Sequence, residues 1–426
     1  MKREAACRDT RPVGGLQLLA LGINGIVGVG IFFAPADVAA RAPGSASVLV
    51  FGATALALLP VALAFAVLGQ RFGEDGGPVV FARAAFGELP AFFVGWIAYV
   101  SAIASASAVM VGLTAAAGPA LGLSPGIEQR LGASALVTGL ALLCATGLRI
   151  SANTWTTLTA LKLLPLLALA AAYLLDDSPG VGSGAPSGEI AWLPAALTAT
   201  FAYQGFEIVP VLAGQARASE RSVPFATLGS LAFAGVLYVI LQNACVDALP
   251  ALSASTAPLA QAGTAYGGAL LGRVVAAGTS VSALGIAFGM MVTTPHYLAA
   301  LARGGSLALG LERLSDKGVP RRALGVTWLL VLLVVQTGTR AQLFALSGVA
   351  VLMQFVVTAA ALAALARRRE RGLTPSHAWI SLPAILVGVG IAAGGASDRE
   401  AVSATLAMLL GLALRIAMRR LGRSPS

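Results

Sequence analysis

The chain has 426 residues, of which 57% are hydrophobic and only 11% charged, with a formal net charge of +10. A soluble domain typically carries about 25% charged residues. So little charge excludes a soluble fold of this size and specifies a polytopic, all-α membrane protein.

The opening segment "MKREAACRDTRP" is basic, like the first region of a signal peptide. The apolar run after it is longer than a signal core and lacks a small-residue cleavage pattern, so residues 1–14 read as a cytoplasmic leader before a retained helix. A crossing helix needs about 20 mostly apolar residues. That rule predicts twelve spans, near 15–40, 46–70, 90–118, 131–148, 154–175, 191–214, 224–247, 269–302, 323–338, 341–366, 377–395 and 401–418.

The first span contains "LGINGIVGVGIFFAP", Leu21 to Pro35, in which Gly22, Gly25, Gly28 and Gly30 interrupt an apolar helix. Each glycine costs a helix about 1 kcal/mol against alanine. Such glycines either allow close helix packing or mark an unwound centre. The fifth span carries Lys162 in "TALKLLPLL". A charge at the bilayer centre costs roughly 2.5–3.5 kcal/mol on insertion scales, so Lys162 either snorkels to an interface or serves function. An acidic loop, "DDSPGVGSGAPSGE", divides the chain at residues 176–190.

The sixth span, "TATFAYQGFEIVPVLAGQ" from Thr198 to Gln215, places Gly205 and Pro210 among Tyr203, Gln204 and Glu207. Proline in a helix interior removes a hydrogen bond and clashes with the preceding turn. The freed backbone groups cannot face lipid and must line a protein interior or a wet cavity. Interrupted helices at matching places in two halves point to a transporter site built from inverted repeats. Half-helix N-termini then suit a carboxylate, and half-helix C-termini suit an amine or a cation. The partner span with its acid at 207 favours unwinding over packing for the glycines of span one.

Later spans contribute polar candidates. Ser101, Ser105, Ser280, Ser282, Thr293 and Thr294 lie in spans three and eight, where most hydroxyls bond their own helix. His296 follows Pro295 at the exit of span eight, a position suited to packing or gating. Asp37 and Arg41 are expected to be solvated at the far end of span one. The run "RRRER", Arg367 to Arg371, reads as an orientation signal near anionic lipid.

Basic residues set the topology. With the N-terminus inside, the cytoplasmic segments hold four in the leader, then Arg71 and Arg83, Arg149, Arg217 and Arg221, five from Arg303 to Arg322, four from Arg367 to Arg371, and four from Arg415 onward. That is 22 of 28, against Arg41, Arg130, Arg273, Arg340 and Arg399 outside. This is the positive-inside pattern, and it accounts for the net charge without nucleic acid. The localisation expected is a cytoplasmic membrane with both termini inside. The three cysteines suggest no disulfide framework, since Cys144 and Cys245 lie in apolar runs and Cys7 in the leader. His296 and His377 make no metal cluster, and no cofactor is expected.

Four stretches carry a family resemblance: "GIVGVGIFFAP", "GEDGGPVVFARAAFG" (Gly73 to Gly87), "FAYQGFE" (Phe201 to Glu207) followed by "ARASERSVPFA", and "ALARGGSL" after span eight. Over roughly residues 12–370 the chain resembles the amino acid–polyamine–organocation (APC) superfamily of transporters. It departs from the pattern at Val29, where many members have serine, and at Gly304, where many have aspartate. The resemblance implies a five-plus-five inverted repeat of the leucine-transporter fold, with spans one to five over residues 15–175, spans six to ten over 191–366, and spans eleven and twelve with a tail over 367–426. It implies that backbone around Ile26, Val27, Gly28, Val29 and Gly30 holds a substrate carboxylate. Backbone around Phe201, Ala202, Tyr203, Gln204 and Gly205 would take the amino group, with Phe201 as an aromatic gate. Relatives with a lysine in span five use it where sodium-coupled members hold a metal ion, so Lys162 is expected to replace sodium and couple transport to protons. Glu207 has three open readings: proton coupling, binding a cationic substrate, or satisfying unwound backbone.

The expected function is alternating-access uptake of a neutral amino acid, with export, exchange, or a polyamine or cationic substrate as alternatives. A channel would want a filter repeated around an axis, and two unlike broken helices do not supply one. The catalytic pairs of an intramembrane enzyme are missing from the spans.

Overall fold

A computed structural model describes residues 13–73, 76–118, 121–147, 152–176, 189–303, 310–316 and 318–421. The leader up to residue 12, residues 177–188 of the acidic loop, Gly304 and the end of the tail therefore lie outside the described residues. The chain order is α1 (Gly15–Ile26), α2 (Val29–Ala39), α3 (Ser45–Phe72), α4 (Pro78–Phe86), α5 (Glu88–Ala117), α6 (Ile127–Ala145), α7 (Ala152–Leu174), α8 (Trp192–Tyr203), a 3₁₀ segment (Phe206–Gln215), α9 (Ser219–Ala248), α10 (Pro258–Arg303), α11 (Arg321–Thr337), α12 (Arg340–Arg367), α13 (Ala378–Gly395) and α14 (Asp398–Leu421).

Among the described residues nine helical stretches are long and apolar enough to cross a membrane, or ten with the bent pair α1–α2. This is an all-helical, polytopic membrane protein. Leucines on α6, α13 and α14 (Leu131, Leu142, Leu386, Leu406, Leu409) are exposed. A soluble protein could not present so many without aggregation, whereas lipid is their natural solvent.

Two features differ from the sequence reading. The stretch after Gly77 forms a separate helix, α4, where only a loop was expected; Pro78 sits at its first position, where the missing N–H costs nothing. A short helix from Pro258 precedes the one expected from residue 269, and the chain breaks between the two at Gly267 and Gly268 (φ +66°).

The interior of the bundle is made by α2 and α8. Ile31, Phe32, Phe33, Ala34, Ala36 and Val38 of α2 are buried, as are Thr198 to Tyr203 of α8. Around them α3 packs along α9, α12 along α5 and α13, and α10 between α5 and α7. One isolated parallel bridge joins Val13 to Ala216, with the Arg217 N–H donating to the Val13 carbonyl at 2.7 Å. The chain entering α1 is thereby tied to the chain leaving the 3₁₀ segment.

The C-terminal end of α2 is closed by an ion pair. Arg340, the first residue of α12, donates from Nη2 to Asp37 Oδ1 at 3.0 Å and lies 4.9 Å from the centre of the Phe33 ring. Asp37 is thus packed against a guanidinium rather than solvated. Arg41 donates to the Asp37 carbonyl instead. Arg415, grouped with the tail by its charge, is 3% exposed within α14, against the Phe92 ring and within 3.4 Å of the Glu88 and Leu89 carbonyls.

Two predictions follow from this packing. A β-carbon at Gly205 would overlap the backbone of Gly25 and Ile26 at φ +131°, so Gly205→Ala is expected to lower stability by roughly 2–5 kcal/mol, read as a fall in the unfolding temperature of the detergent-purified protein. Asp37→Asn leaves Arg340 without its carboxylate and is expected to cost about 1–3 kcal/mol, moderated by the pair's partial exposure. The double change Asp37→Asn with Arg340→Gln should recover most of that loss in the same assay.

Candidate functional site

The α1 helix stops at Ile26 because Val27 (ψ 75°) and Gly28 (φ −111°, ψ −157°) leave helical geometry. The axis turns by 43° across this break. The Val27 N–H bonds back to the Ile23 carbonyl at 2.7 Å, and the Gly28 N–H to the Ile26 carbonyl at 2.6 Å. Those two amides are therefore spent, which narrows the sequence expectation. Val29, Gly30 and Ile31 form the first turn of α2, whose N–H groups have no intrahelical acceptor, and Gly28 offers no side chain to cap them. The side chain of Val29 lies outside the described part.

The second break follows Tyr203. Gln204 is extended (φ −59°, ψ 141°) and Gly205 left-handed, after which the chain continues as a 3₁₀ segment containing Pro210. The Gln204 N–H closes onto the Phe201 carbonyl at 3.3 Å, and the carbonyls of Ala202 and Tyr203 at the end of α8 have no intrahelical donor. The Gly205 N–H is used by Glu207, whose Oε2 accepts it at 2.7 Å. Glu207 thus turns inward on its own break and caps it.

The two breaks touch. A β-carbon on Gly30 would lie 2.7 Å from Ala202 Cα, and one on Gly25 would lie 3.0 Å from the Gly205 carbonyl oxygen. The positively polarised start of α2 thus lies on the negatively polarised end of α8. The glycines of span one serve both readings left open above. Gly28 is the unwound residue, while Gly25 and Gly30 permit backbone-to-backbone approach.

Two buried side chains hold the carbonyls that the first break releases. Lys162 from α7, 3% exposed, donates from Nζ to the Asn24 carbonyl at 2.8 Å. It does not snorkel. From α9, the fully buried Tyr238 hydroxyl donates to the Ile26 carbonyl at 2.8 Å. Tyr238 was not anticipated, since a lone tyrosine in an apolar run carries no signal. Tyr203 packs with Phe51 and Tyr238 and donates its hydroxyl to the Phe51 carbonyl at 3.1 Å, so its side chain is committed to the scaffold.

Phe201 stacks on Phe344 of α12, ring centres 4.0 Å apart. Ser101 and Ser105 of α5 do not bond their own helix. Both meet Ser347 of α12, at 3.0 and 2.6 Å, and Ser347 donates to Gln204 Oε1 at 3.1 Å. Ser280 and Thr293 bond the carbonyls of Ala276 and Gly289 within their own helix. Cys144 and Cys245 are buried free thiols. Phe344 and Ser347 escaped the sequence reading because their partners lie far along the chain, 143 residues for Gln204 and 246 for Ser101 in the case of Ser347.

A family model described as amino acid permease matches residues 13–397. Cationic amino acid transporter 4 of Homo sapiens is 27% identical over 318 residues, covering 69% of this chain and 50% of that protein. An uncharacterized transporter of Mycobacterium tuberculosis is 26% identical over 407 residues, 90% of this chain and 91% of its own length. The branched-chain amino acid permease BcaP of Bacillus subtilis is 28% identical over 264 residues, 56% of this chain and 55% of that protein. The chain thus spans about half the length of the human and Bacillus relatives. With most of its length matched by the family model, the chain belongs to the amino acid permease family, whose members are transporters rather than enzymes.

Proposed function

We propose that this protein takes up a neutral amino acid across the cytoplasmic membrane by alternating access, driven by protons rather than sodium. The observation that carries the reading is the contact between Gly30 at the start of α2 and Ala202 at the end of α8. Free N–H groups and free carbonyls adjoin there, as the α-carboxylate and α-ammonium of one small molecule require. In this reading the twelve spans form a five-plus-five inverted repeat followed by two further helices. Helices α1–α2 and α8 with its 3₁₀ continuation are the broken members, α4 lies on the cytoplasmic side, and both termini are cytoplasmic.

The amides of Val29, Gly30 and Ile31 hold the carboxylate, and the carbonyls at the end of α8 hold the ammonium. The Phe201–Phe344 stack and the Asp37–Arg340 pair close the extracytoplasmic side. Lys162, bonded to Asn24, occupies the place a sodium ion would take and exchanges the coupling proton. A cationic or polyamine substrate would want a carboxylate facing the cavity. Glu207 has spent one oxygen on Gly205, which favours a neutral substrate and gives Glu207 a capping role first.

In proteoliposomes, uptake is expected to respond to a proton gradient and to proceed equally without sodium. Lys162→Ala should abolish the response to the gradient, with counterflow measuring the residual exchange. Uptake that requires sodium, or a gradient response that survives in Lys162→Ala, would overturn the coupling.

A further inference from the structure

The cluster of Gln204, Ser347, Ser101 and Ser105 joins the second break to α5 and α12, and its hydrogen-bond inventory is unbalanced. Ser347 donates its single proton to Gln204 Oε1 at 3.1 Å. Ser105, at 2.6 Å, then directs its proton at Ser347 Oγ, and Ser101 has its proton between Ser347 Oγ at 3.0 Å and the Ser347 carbonyl at 3.3 Å. Every hydroxyl proton is consumed, because each serine has one donor and two acceptor sites. The Gln204 amide nitrogen, buried, has no partner among the described residues. What is left over is a donor on Gln204 and spare acceptor sites on Ser101 and Ser105. The three serines are 8%, 4% and 0% exposed, so water does not readily balance the account.

Gln204 is also the residue that ends α8. Its side chain therefore leaves from the same turn as the carbonyls assigned above to the substrate ammonium. A side chain entering here meets a donor and acceptors together. An alkyl group would leave them unmatched. A carboxylate accepts but does not donate, and the cluster contains no cation to neutralise it. An ammonium donates but cannot accept from Gln204. A hydroxyl or a carboxamide does both.

We infer that the Gln204–Ser347–Ser101–Ser105 cluster is the side-chain subsite of the transporter and selects neutral amino acids whose side chain ends in a hydroxyl or carboxamide over their apolar isosteres. This rests on the amino acid reading and names its substrate class.

The test measures binding to the purified full-length protein of matched pairs, threonine against valine and asparagine against leucine, by thermal shift and calorimetry. Threonine is expected to bind at least about tenfold more tightly than valine, since sites built to hydrogen-bond a group reject analogues lacking it. Ser347→Ala should shrink the threonine-to-valine ratio by roughly threefold or more, each lost hydrogen bond being worth a factor of that order. Ser105→Ala gives the same readout if Ser347→Ala fails to fold. A merely structural cluster would weaken both ligands alike and leave the ratio unmoved, which overturns the inference. Valine bound as tightly as threonine by the unaltered protein overturns it without any variant and leaves the transporter reading standing. If none of the four amino acids binds, the amino acid reading itself falls, and this inference with it.

Discussion

Everything at the centre of this protein depends on two backbones approaching without side chains between them. Gly25 and Gly205 meet so closely that a β-carbon at 205 would occupy the space of Gly25 itself. Helices of ordinary composition stay 8–10 Å apart. Once two helices come this close at points where both are unwound, their released N–H and carbonyl groups are shielded from water and from lipid. Each unsatisfied group there costs several kcal/mol. Partners must therefore be supplied, and they are: Lys162 and Tyr238 from neighbouring helices for the Asn24 and Ile26 carbonyls, and Glu207 from the second break itself for the Gly205 amide. The polar residues buried in this apolar bundle follow from the contact between its two breaks.

The same accounting separates what was legible in the sequence from what was not. Hydropathy located the helices to within a few residues because length and charge are local properties. Gly28, Gly205 and Pro210 advertised the interruptions for the same reason. Lys162 stood out because charge in an apolar run has few innocent explanations. Tyr238, Phe344 and Ser347 did not, since each is unremarkable until a distant helix is laid against it. Asp37 illustrates the opposite error. Beside Arg41 in sequence it looked solvated, but its partner, Arg340, lies 303 residues away. The roles of neighbouring glycines were also unreadable, because unwinding at Gly28 and close approach at Gly25 and Gly30 produce the same letters.

Relatives with different cargo names share this scaffold, which fits a division of labour within the site. On the function proposed above, backbone atoms recognise what all α-amino acids have in common, and backbone is indifferent to most substitutions. Discrimination must then come from side chains that reach the break from outside it. In this chain those are Gln204, Ser347, Ser101 and Ser105 on one side and Phe201 with Phe344 on another. A family can therefore keep its fold and its main-chain receptor while changing cargo through a few positions on α5, α8 and α12. Fold membership alone does not name the substrate.

The geometry at Lys162 also bears on how strongly a proton could drive such a machine. A bound metal ion that departs takes all of its coordination with it. Lys162 behaves differently, because a neutral amine can still donate to the Asn24 carbonyl at 2.8 Å. Deprotonation weakens that bond without severing it, since a charge-assisted hydrogen bond is only about twice as strong as a neutral one. On net values of about 1 kcal/mol for a neutral bond and 1.5–3 kcal/mol for a charged one, the difference is roughly 0.5–2 kcal/mol. That moves a two-state equilibrium by about one order of magnitude, far less than complete locking. A lysine in this position therefore biases the first break rather than clamping it. If Lys162 exchanges the coupling proton as proposed, the remaining bias has to come from substrate binding between the same two helices, which makes coupling a property of the pair of breaks and not of the lysine alone.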